Sequence, residues 1–436
     1  PESNPIAASS LLINAYVNAL TRSDAAAGAA PKVVWDFEDE SPGNDARGTT
    51  TAASLAPEVE THLVNTVLTN GARYYVDHAH PELSTPECRD ARSVVVWDRA
   101  AEQVLLQSMT AARDLLPEGQ EIVVYKNNSD GKGNSYGCHE NYLMDRAVPF
   151  GRIVVHAMAH FITRQLFTGA GKVGTEVAGV PSKDVAFQIT QRADFFEEEV
   201  GLETTLKRPI VNTRDEPHSD AQKYRRLHVI CGDANLAEVA TFLKVGTTAI
   251  VLAMVEDDAL PREFVFQHPV LTMREVSWDL SLSRSYELVD GTSVRALDVQ
   301  WELLDRARKY AEVHGLEAVG HDAGLEVLAR WEQVLEALES DPMRLAGQLD
   351  WVAKRRLLEG YRERHDLDQT DARLAAMDLQ YHDLRPGRSL ASRVGLERLT
   401  TDEEVTRAIT EPPEDTRAYF RGRCLQRWAD QVVAAN

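Results

Sequence analysis

The stretch Arg73-Tyr-Tyr-Val-Asp-His-Ala-His-Pro-Glu82 brings a guanidinium, phenols, imidazoles and carboxylates close together. If it is a strand, Arg73, Tyr75 and Asp77 share one face and Tyr74 and Val76 the other, because strand side chains alternate. Three polar side chains on one face are costly to a core strand unless they are used. A guanidinium suits phosphate, a phenol can orient a metal ion or water, and a carboxylate can act as base or nucleophile. Glu82, Thr85 and Glu87 follow, so oxygen ligands suited to magnesium cluster here. A solvated strand edge with incidental charges gives the same pattern, and spacing alone leaves both readings open.

Three further segments carry possible chemistry. A strand-like run enters the loop Asn127-Asn-Ser-Asp-Gly-Lys-Gly-Asn-Ser-Tyr-Gly137, whose backbone can present N–H groups to an anion or simply turn a hairpin. No Gly-Lys-Ser/Thr ends it, so it is not a P-loop, and His139-Glu140 lacks the second His of a metalloprotease helix. Gly169-Ala-Gly-Lys-Val-Gly174 matches Gly-x-Gly-x-x-Gly but follows a helical pattern, which argues against a dinucleotide site. A plain helix-ending linker or a loop presenting Lys172 remains. Finally, Lys207, Arg208, Arg214, Lys223, Arg225 and Arg226 concentrate positive charge around His228, in a chain of net charge −21. That patch suits a phosphate or an acidic partner, or pairing with the protein's own carboxylates.

The elements that must position these groups alternate irregularly. Strands are predicted at about 72–77, 122–126, 227–231, 248–254 and 264–266, and helices at about 94–116, 150–167 and 235–242. Amphipathic helices follow at 296–312, 324–339 and 344–365, then a basic helix at 416–433. The rhythm predicts an α+β architecture, helices backing a mostly antiparallel sheet. The acidic segment from Trp35 to Gly48 and the Thr/Ala-rich residues after it predict a mobile loop at about 38–60. At 436 residues the chain exceeds one ordinary core, so a large domain (1–370) and a small C-terminal one (371–436) are expected. The uninterrupted apolar run 249–255 is far short of the ~20 residues that span a bilayer. The acidic charge disfavours nucleic acid and anionic membranes as partners. Cys88, Cys138, Cys231 and Cys424 are scattered without a Cys-x-x-Cys pair, which argues against zinc and disulfides and fits a reducing cytoplasm.

Taken together, Asn70-Gly-Ala-Arg-Tyr-Tyr-Val-Asp-His-Ala-His-Pro-Glu82, residues 125–142, 165–176, 208–218 and 225–248, and Asp378-Leu-Gln-Tyr-His-Asp383 resemble one family. It is the family of deamidases and depupylases of the small protein modifier Pup, homologous to the Pup ligases and related to glutamine synthetase. The resemblance implies a glutamine synthetase-like curved sheet, and a monomer that binds ATP and Mg2+. It implies Asp77 as the catalytic residue, Tyr75 and Glu82 as magnesium ligands, and Arg73 and Thr85 as nucleotide contacts. Arg225, Arg226 and His228 are implied to lie by the nucleotide phosphates and the substrate carboxylate. The implied substrates are Pup and pupylated proteins, and the implied activity is hydrolysis, with ligation or silent Pup binding as alternatives. His78-Ala-His-Pro-Glu82 is similar to the deamidase branch; the ligase branch has one residue more between Asp and Glu. The family's Gly-x-Glu-x-Glu-Tyr-Gly strand, which supplies another magnesium ligand, has no match in this sequence, and Trp428 is not a secure match for the ligases' C-terminal Trp.

Overall fold

A computed structural model describes residues 4–23, 33–36, 43–48 and 64–435. Of the loop expected at about 38–60, all but 43–48 lies outside the described residues. The chain gathers into two compact units, one of Pro1–Glu40, Ala52–Val124 and Leu399–Asn436, the other of Ser41–Thr51 and Tyr125–Arg398. This partition differs from the expected boundary at residue 370, because the last segment packs with the N-terminal sheet.

The first unit is a five-stranded sheet in the order β13-β1-β2-β3-β4. Its strands are β1 (Val34–Trp35), β2 (Asn65–Val67), β3 (Arg73–Asp77), β4 (His80–Ser84) and β13 (Ala434–Ala435). Neighbours run antiparallel except the parallel pair β1–β13. The helices α1 (Pro5–Ser23) and α2 (Ala91–Arg113) back it. Tyr74 and Val76 of β3 enter a core with Ile13, Tyr16, Leu68, Ala72 and Val104. α2 begins where Asp90 accepts the Ser93 N–H at 2.7 Å, an N-cap, and buries Val95, Val96, Ala100 and Val104 on one side. α1 has no counterpart among the predicted helices. At the other end of the chain come α10 (Asp402–Ala408), with a Thr401/Glu404 capping box, and α11 (Arg417–Arg427). Asn70 Nδ2 donates to the Ala408 carbonyl, Arg92 pairs with Glu404, and Arg417 and Arg421 both pair with Glu87 at 2.6 Å. Glu87, grouped by sequence with the oxygen ligands, is thus a clamp for α11.

In the second unit the strands pair two by two. β5 (Glu140–Asp145) joins β10 (Tyr224–Val229), β6 (Lys172–Val173) joins β7 (Phe187–Gln188), and β11 (Ser285–Glu287) joins β12 (Ser293–Arg295), all antiparallel. β8 (Phe196–Gly201) and β9 (Arg208–Asn212) are parallel. Helices α3 (Phe150–Thr168), α4 (Glu238–Glu256), α5 (Pro269–Trp278), α6 (Ala296–His314), α7 (His321–Ser340), α8 (Asp350–Arg364) and α9 (Ala372–Tyr381) supply most of its regular structure.

Three predicted strands are not strands. Residues 248–254 belong to α4, because a run apolar on every side carries no period to separate helix from strand. α4 is long and apolar enough to cross a membrane, yet 89 % of that stretch is buried inside the protein, as in a core helix. Its N-terminus is satisfied from a distance. The buried Asp350 carboxylate accepts the Leu236 and Ala237 N–H groups at 3.2 and 3.1 Å, along with Asn235 Nδ2 and the Tyr381 hydroxyl. Residues 122–126 and 264–266 form only isolated bridges, Tyr125 with Asp383 and Phe266 with Leu288.

Burial pushes the Glu87 carboxyl up, but the Arg421 and then Arg417 guanidinium groups outweigh it and hold the pKa at about 2, below the ordinary 4.5. A depressed carboxyl contributes stability in full above its unfolded value and loses it as pH falls toward the folded one. Glu87→Gln should therefore lower the melting temperature near neutrality, and the gap to the parent should close between about pH 4.5 and 2. Thermal unfolding followed across that range checks it; a gap independent of pH would remove the clamp.

Candidate functional site

Cross-strand register builds the polar face of the first unit. Arg73 lies opposite Ser84, Tyr75 opposite Glu82, and Asp77 opposite His80. Tyr74 and Val76 are buried while Arg73, Tyr75 and Asp77 are half-buried, as alternation requires. The turn between β3 and β4 consists of His78 and Ala79, with His78 in the left-handed region at φ 53°. Ser9 of α1 donates to the Ala79 carbonyl at 2.8 Å and ties the turn down.

Each group on this face is oriented. Arg73 Nε donates to Asn65 Oδ1 at 3.1 Å, and its guanidinium lies over the Tyr75 ring at 4.1 Å and the Trp35 ring at 4.7 Å. The Tyr75 hydroxyl donates to Glu82 Oε1. Burial, and then the Asp77 charge, raise the Glu82 carboxyl to about 7. Two carboxyl groups sharing one small space resist joint ionisation unless a cation stands between them. Asp77 keeps 40 % of its side chain exposed and lies 3.1 Å from His78 Nδ1. Thr85 follows directly after β4 and is half-buried. The structure thus assembles five of the predicted site residues, Arg73, Tyr75, Asp77, Glu82 and Thr85, along one strand pair.

The basic trio of the second unit divides. Arg226 and His228 share one face of β10, and Arg225, between Tyr224 and Arg226, points to the other. Arg225 lies over the Phe150 ring at 5.5 Å, and its Nε and Nη1 have no hydrogen-bond partner. His228 Nδ1 is 2.8 Å from Asn141 Oδ1, which also takes Arg226 Nη1, and its ring meets that of His139 edge-on at 4.9 Å. Burial, then His139, Arg226 and Arg214, hold the His228 pKa well below its ordinary value, so the ring is neutral near pH 7. Residues 43–48 reach the same neighbourhood: Ala46 N donates to the Thr213 carbonyl and Asp215 N to Asn44 O, beside Arg214.

Sequence reading missed Arg192. Its side chain is only 1 % exposed, it lies over the Phe196 ring at 5.7 Å, and its Nε and Nη1 have no acceptor. Burial, then the like charge of Arg208, lower its pKa to about 10. Asp233 offers it charge but no hydrogen bond, and a buried guanidinium with open donors is expensive in a native fold, so an anionic ligand is a natural complement. No local motif marks it; only its burial does.

Other candidates prove structural. In the glycine-rich loop the Asp130 carboxylate takes Lys132 N, Asn134 N and Asn134 Nδ2, and Glu176 takes Gly133 N at 2.7 Å. Asp130 of the loop and Glu176 from a distant segment fill the nest, and Ser129 pairs with Ser135 as in a hairpin. Lys172 is buried against Asp194 and Glu176. Glu140 is gripped by the buried Arg164 through two bonds of 2.6 and 2.8 Å. Among the described residues no group of three or more His, Cys, Asp or Glu side chains is placed to hold a metal ion.

Residues 1–436 match the family model described as Pup-ligase protein. A depupylase of Acidothermus cellulolyticus is 51 % identical over 100 % of this chain and 86 % of its own. A Pup deamidase/depupylase of Mycolicibacterium smegmatis is 45 % identical over 100 % and 87 %. Among solved structures, the Pup ligase PafA in complex with ADP superposes with a TM-score of 0.76 at 38 % identity, over 83 % of this chain and 80 % of that one.

Arg192 gives a direct test. If the fold carries this buried charge for a ligand, Arg192→Met should melt no lower than the parent, since an apolar replacement of similar length removes an unpaired cation. It should also lose any stabilisation that added inorganic phosphate confers on the parent. A melting temperature several degrees lower, with the phosphate effect intact, would make the guanidinium a structural group.

Proposed function

The chain belongs to the Pup-ligase protein family, and from that membership we propose that it is an amide hydrolase of Pup. It converts the side-chain amide of a C-terminal Gln on Pup to Glu and cleaves the isopeptide bond between Pup and a protein lysine. ATP and Mg2+ serve as cofactors. The polar face of β3 carries this reading: a half-exposed Asp77 beside a stacked Arg73, a half-buried Tyr75 and a Glu82 that resists ionisation. The choice of hydrolysis over ligation is supported by the whole-chain similarity to the depupylases and by the short Asp77-to-Glu82 spacing.

The residues fit the cofactors. Asp77, Glu82 and Tyr75 offer oxygen donors only, and a divalent cation would relieve the repulsion that raises the Glu82 pKa. Magnesium is usually held by one or two carboxylates plus phosphate and water oxygens, so a full protein cage is not needed. Glu82 and Tyr75 would hold the metal, and Arg73 and Thr85 would contact the nucleotide. When bound with nucleotide, Mg2+ would supply the positive charge that polarises the carbonyl and stabilises the developing oxyanion.

The rest falls to the protein. Arg73 is fixed by two rings and Asn65, so little entropy is lost when its donors meet a phosphate. Asp77 supplies the negative charge that either course requires, attack on the γ-carbonyl carbon or removal of a proton from the attacking water. Ammonia leaves from the Gln amide, the lysine amine from the isopeptide; the carboxamide is the same, so one site serves both. Within the second unit, taken by itself, Arg192 has buried donors without an acceptor, which suit an anion.

The test uses Pup ending in Gln, with and without ATP and Mg2+, read by mass spectrometry. The parent should shift the substrate by about one dalton only with nucleotide present, and Asp77→Asn should lower the rate by at least ~10³, since it keeps size and removes charge. Retained isopeptidase activity in that variant would end the assignment. ADP released in step with conjugate formation would identify a ligase instead.

A further inference from the structure

The interior of the second unit holds a lysine whose role the proposed reaction leaves open. Lys354, on α8, is 1 % exposed, and an ammonium has three N–H donors. All three are taken: Gly171 O at 2.7 Å, Asp378 Oδ1 at 2.6 Å and His382 Nε2 at 2.7 Å. His382, fully buried, is therefore an acceptor at Nε2. Gln191 Nε2 lies 2.9 Å from the same nitrogen and 3.2 Å from Gly171 O. The other end of that amide is also pinned, since Gln191 Oε1 accepts the Asn128 N–H at 2.7 Å. Its orientation is thus set by partners of opposite kind at the two ends.

Gln191 is the residue before Arg192. The stretch 189–195 has little ladder of its own and is held by scattered bonds: Gln191 N to Asp233 Oδ2 at 2.8 Å, Thr190 N to Ser277 Oγ, and Ala193 N to Thr190 Oγ1. Within it, the Gln191 side chain is the link to α8 and the segment after α9. The same network reaches the neighbouring loops, because Asp233 Oδ2 also takes Ala170 N and Asn128 Oδ1 takes Ala234 N. Apart from the Phe196 ring the guanidinium has no hydrogen-bond acceptor to fix it, so its position depends on the backbone beneath it.

We infer that Lys354, His382 and Gln191 form a buried chain of positioning residues that sets the Arg192 guanidinium for an oxyanion, a phosphate or a carboxylate of nucleotide or substrate. The inference rests on reading Arg192 as an anion-binding group, and it assigns the three residues no contact with the ligand. His382 acts by its one Nε2 lone pair, which Lys354 and Gln191 share, Lys354 by holding that ring and the Gly171 carbonyl beside the Gln191 amide, and Gln191 by anchoring residue 192.

The experiment is a double-mutant cycle on the full chain. Inorganic phosphate and Mg-ADP are titrated separately by calorimetry into the parent, Gln191→Leu, His382→Leu, His382→Gln, Arg192→Gln and the Arg192→Gln/Gln191→Leu double variant. The probe that responds tells a free oxyanion site from a nucleotide site. Gln191→Leu and His382→Leu should weaken it roughly tenfold, His382→Gln, which keeps an acceptor, by less than about twofold, and Gln191→Leu should add nothing once Arg192 is gone. Should Gln191→Leu not fold, Gln191→Glu replaces it, keeping the acceptor for Asn128 N and losing both donors, with the same loss expected. An equal loss from Gln191→Leu in both backgrounds overturns the inference, because a merely structural role does not depend on Arg192. An unchanged affinity in Arg192→Gln, or a parent that binds neither probe, overturns it as well. Normal probe binding with no amide hydrolysis counts against the proposed function and leaves the positioning chain standing.

Discussion

Burying Tyr74 and Val76 beneath α1 and α2 forces Arg73, Tyr75 and Asp77 together onto the opposite face of β3, since a strand cannot bury one set without presenting the other. Slipping β3 by one residue could put the Asp77 carboxylate in the core position of Val76 and would lose both the core and the site. Register with β4 then brings Glu82 to Tyr75, and the tight His78–Ala79 turn leaves Asp77 at the sheet's end. The clamp of Glu87 on Arg417 and Arg421 holds α11, and Arg421 also donates to Gly71 O just before β3. The site is a consequence of how this sheet buries its core.

The second unit follows a different rule. Its interior contains charges whose hydrogen bonds are matched: Arg164 with Glu140, Lys244 with Asp233 O and Asn235 Oδ1, Lys354 with three acceptors, Asp350 with the start of α4. Such pairs add little net stability over apolar packing, but breaking one is costly, so they fix geometry. Against that background the open donors of the buried Arg192 and Arg225 stand out, two on each guanidinium. A fold that satisfies most of its buried cations and leaves these donors open keeps them at a cost, as binding sites do.

Legibility in the sequence followed the range of the interaction. β3 and the helices α2, α3, α6 and α7 were readable because alternation, capping and amphipathic period are local. So were Arg73, Tyr75 and Asp77 as a set. α4 was misread at 248–254 because a helix buried on all sides shows no period. The trio Arg225, Arg226 and His228, brought together by the resemblance, divides because neighbours on a strand diverge. Glu87 was grouped by proximity in sequence, while its partners are some 330 residues away. Arg192, Lys354 and His382 acquire meaning only from burial and from contacts between distant segments, which no spacing rule encodes.

Exposure of Asp77 bears on hydrolysis against ligation. A ligase must keep water from its activated acyl group until the amine arrives, whereas a hydrolase must admit water to the same carbon. With 40 % of its side chain open and a two-residue turn beside it, Asp77 stands where water has access. Glu82, behind it, is withdrawn and reluctant to ionise. On the proposed reading the two carboxyl groups divide in role, Glu82 toward a cation and Asp77 toward the reaction, as in sites where environment pushes paired acids apart. On that division the solvent that a ligase has to exclude is the second reactant here.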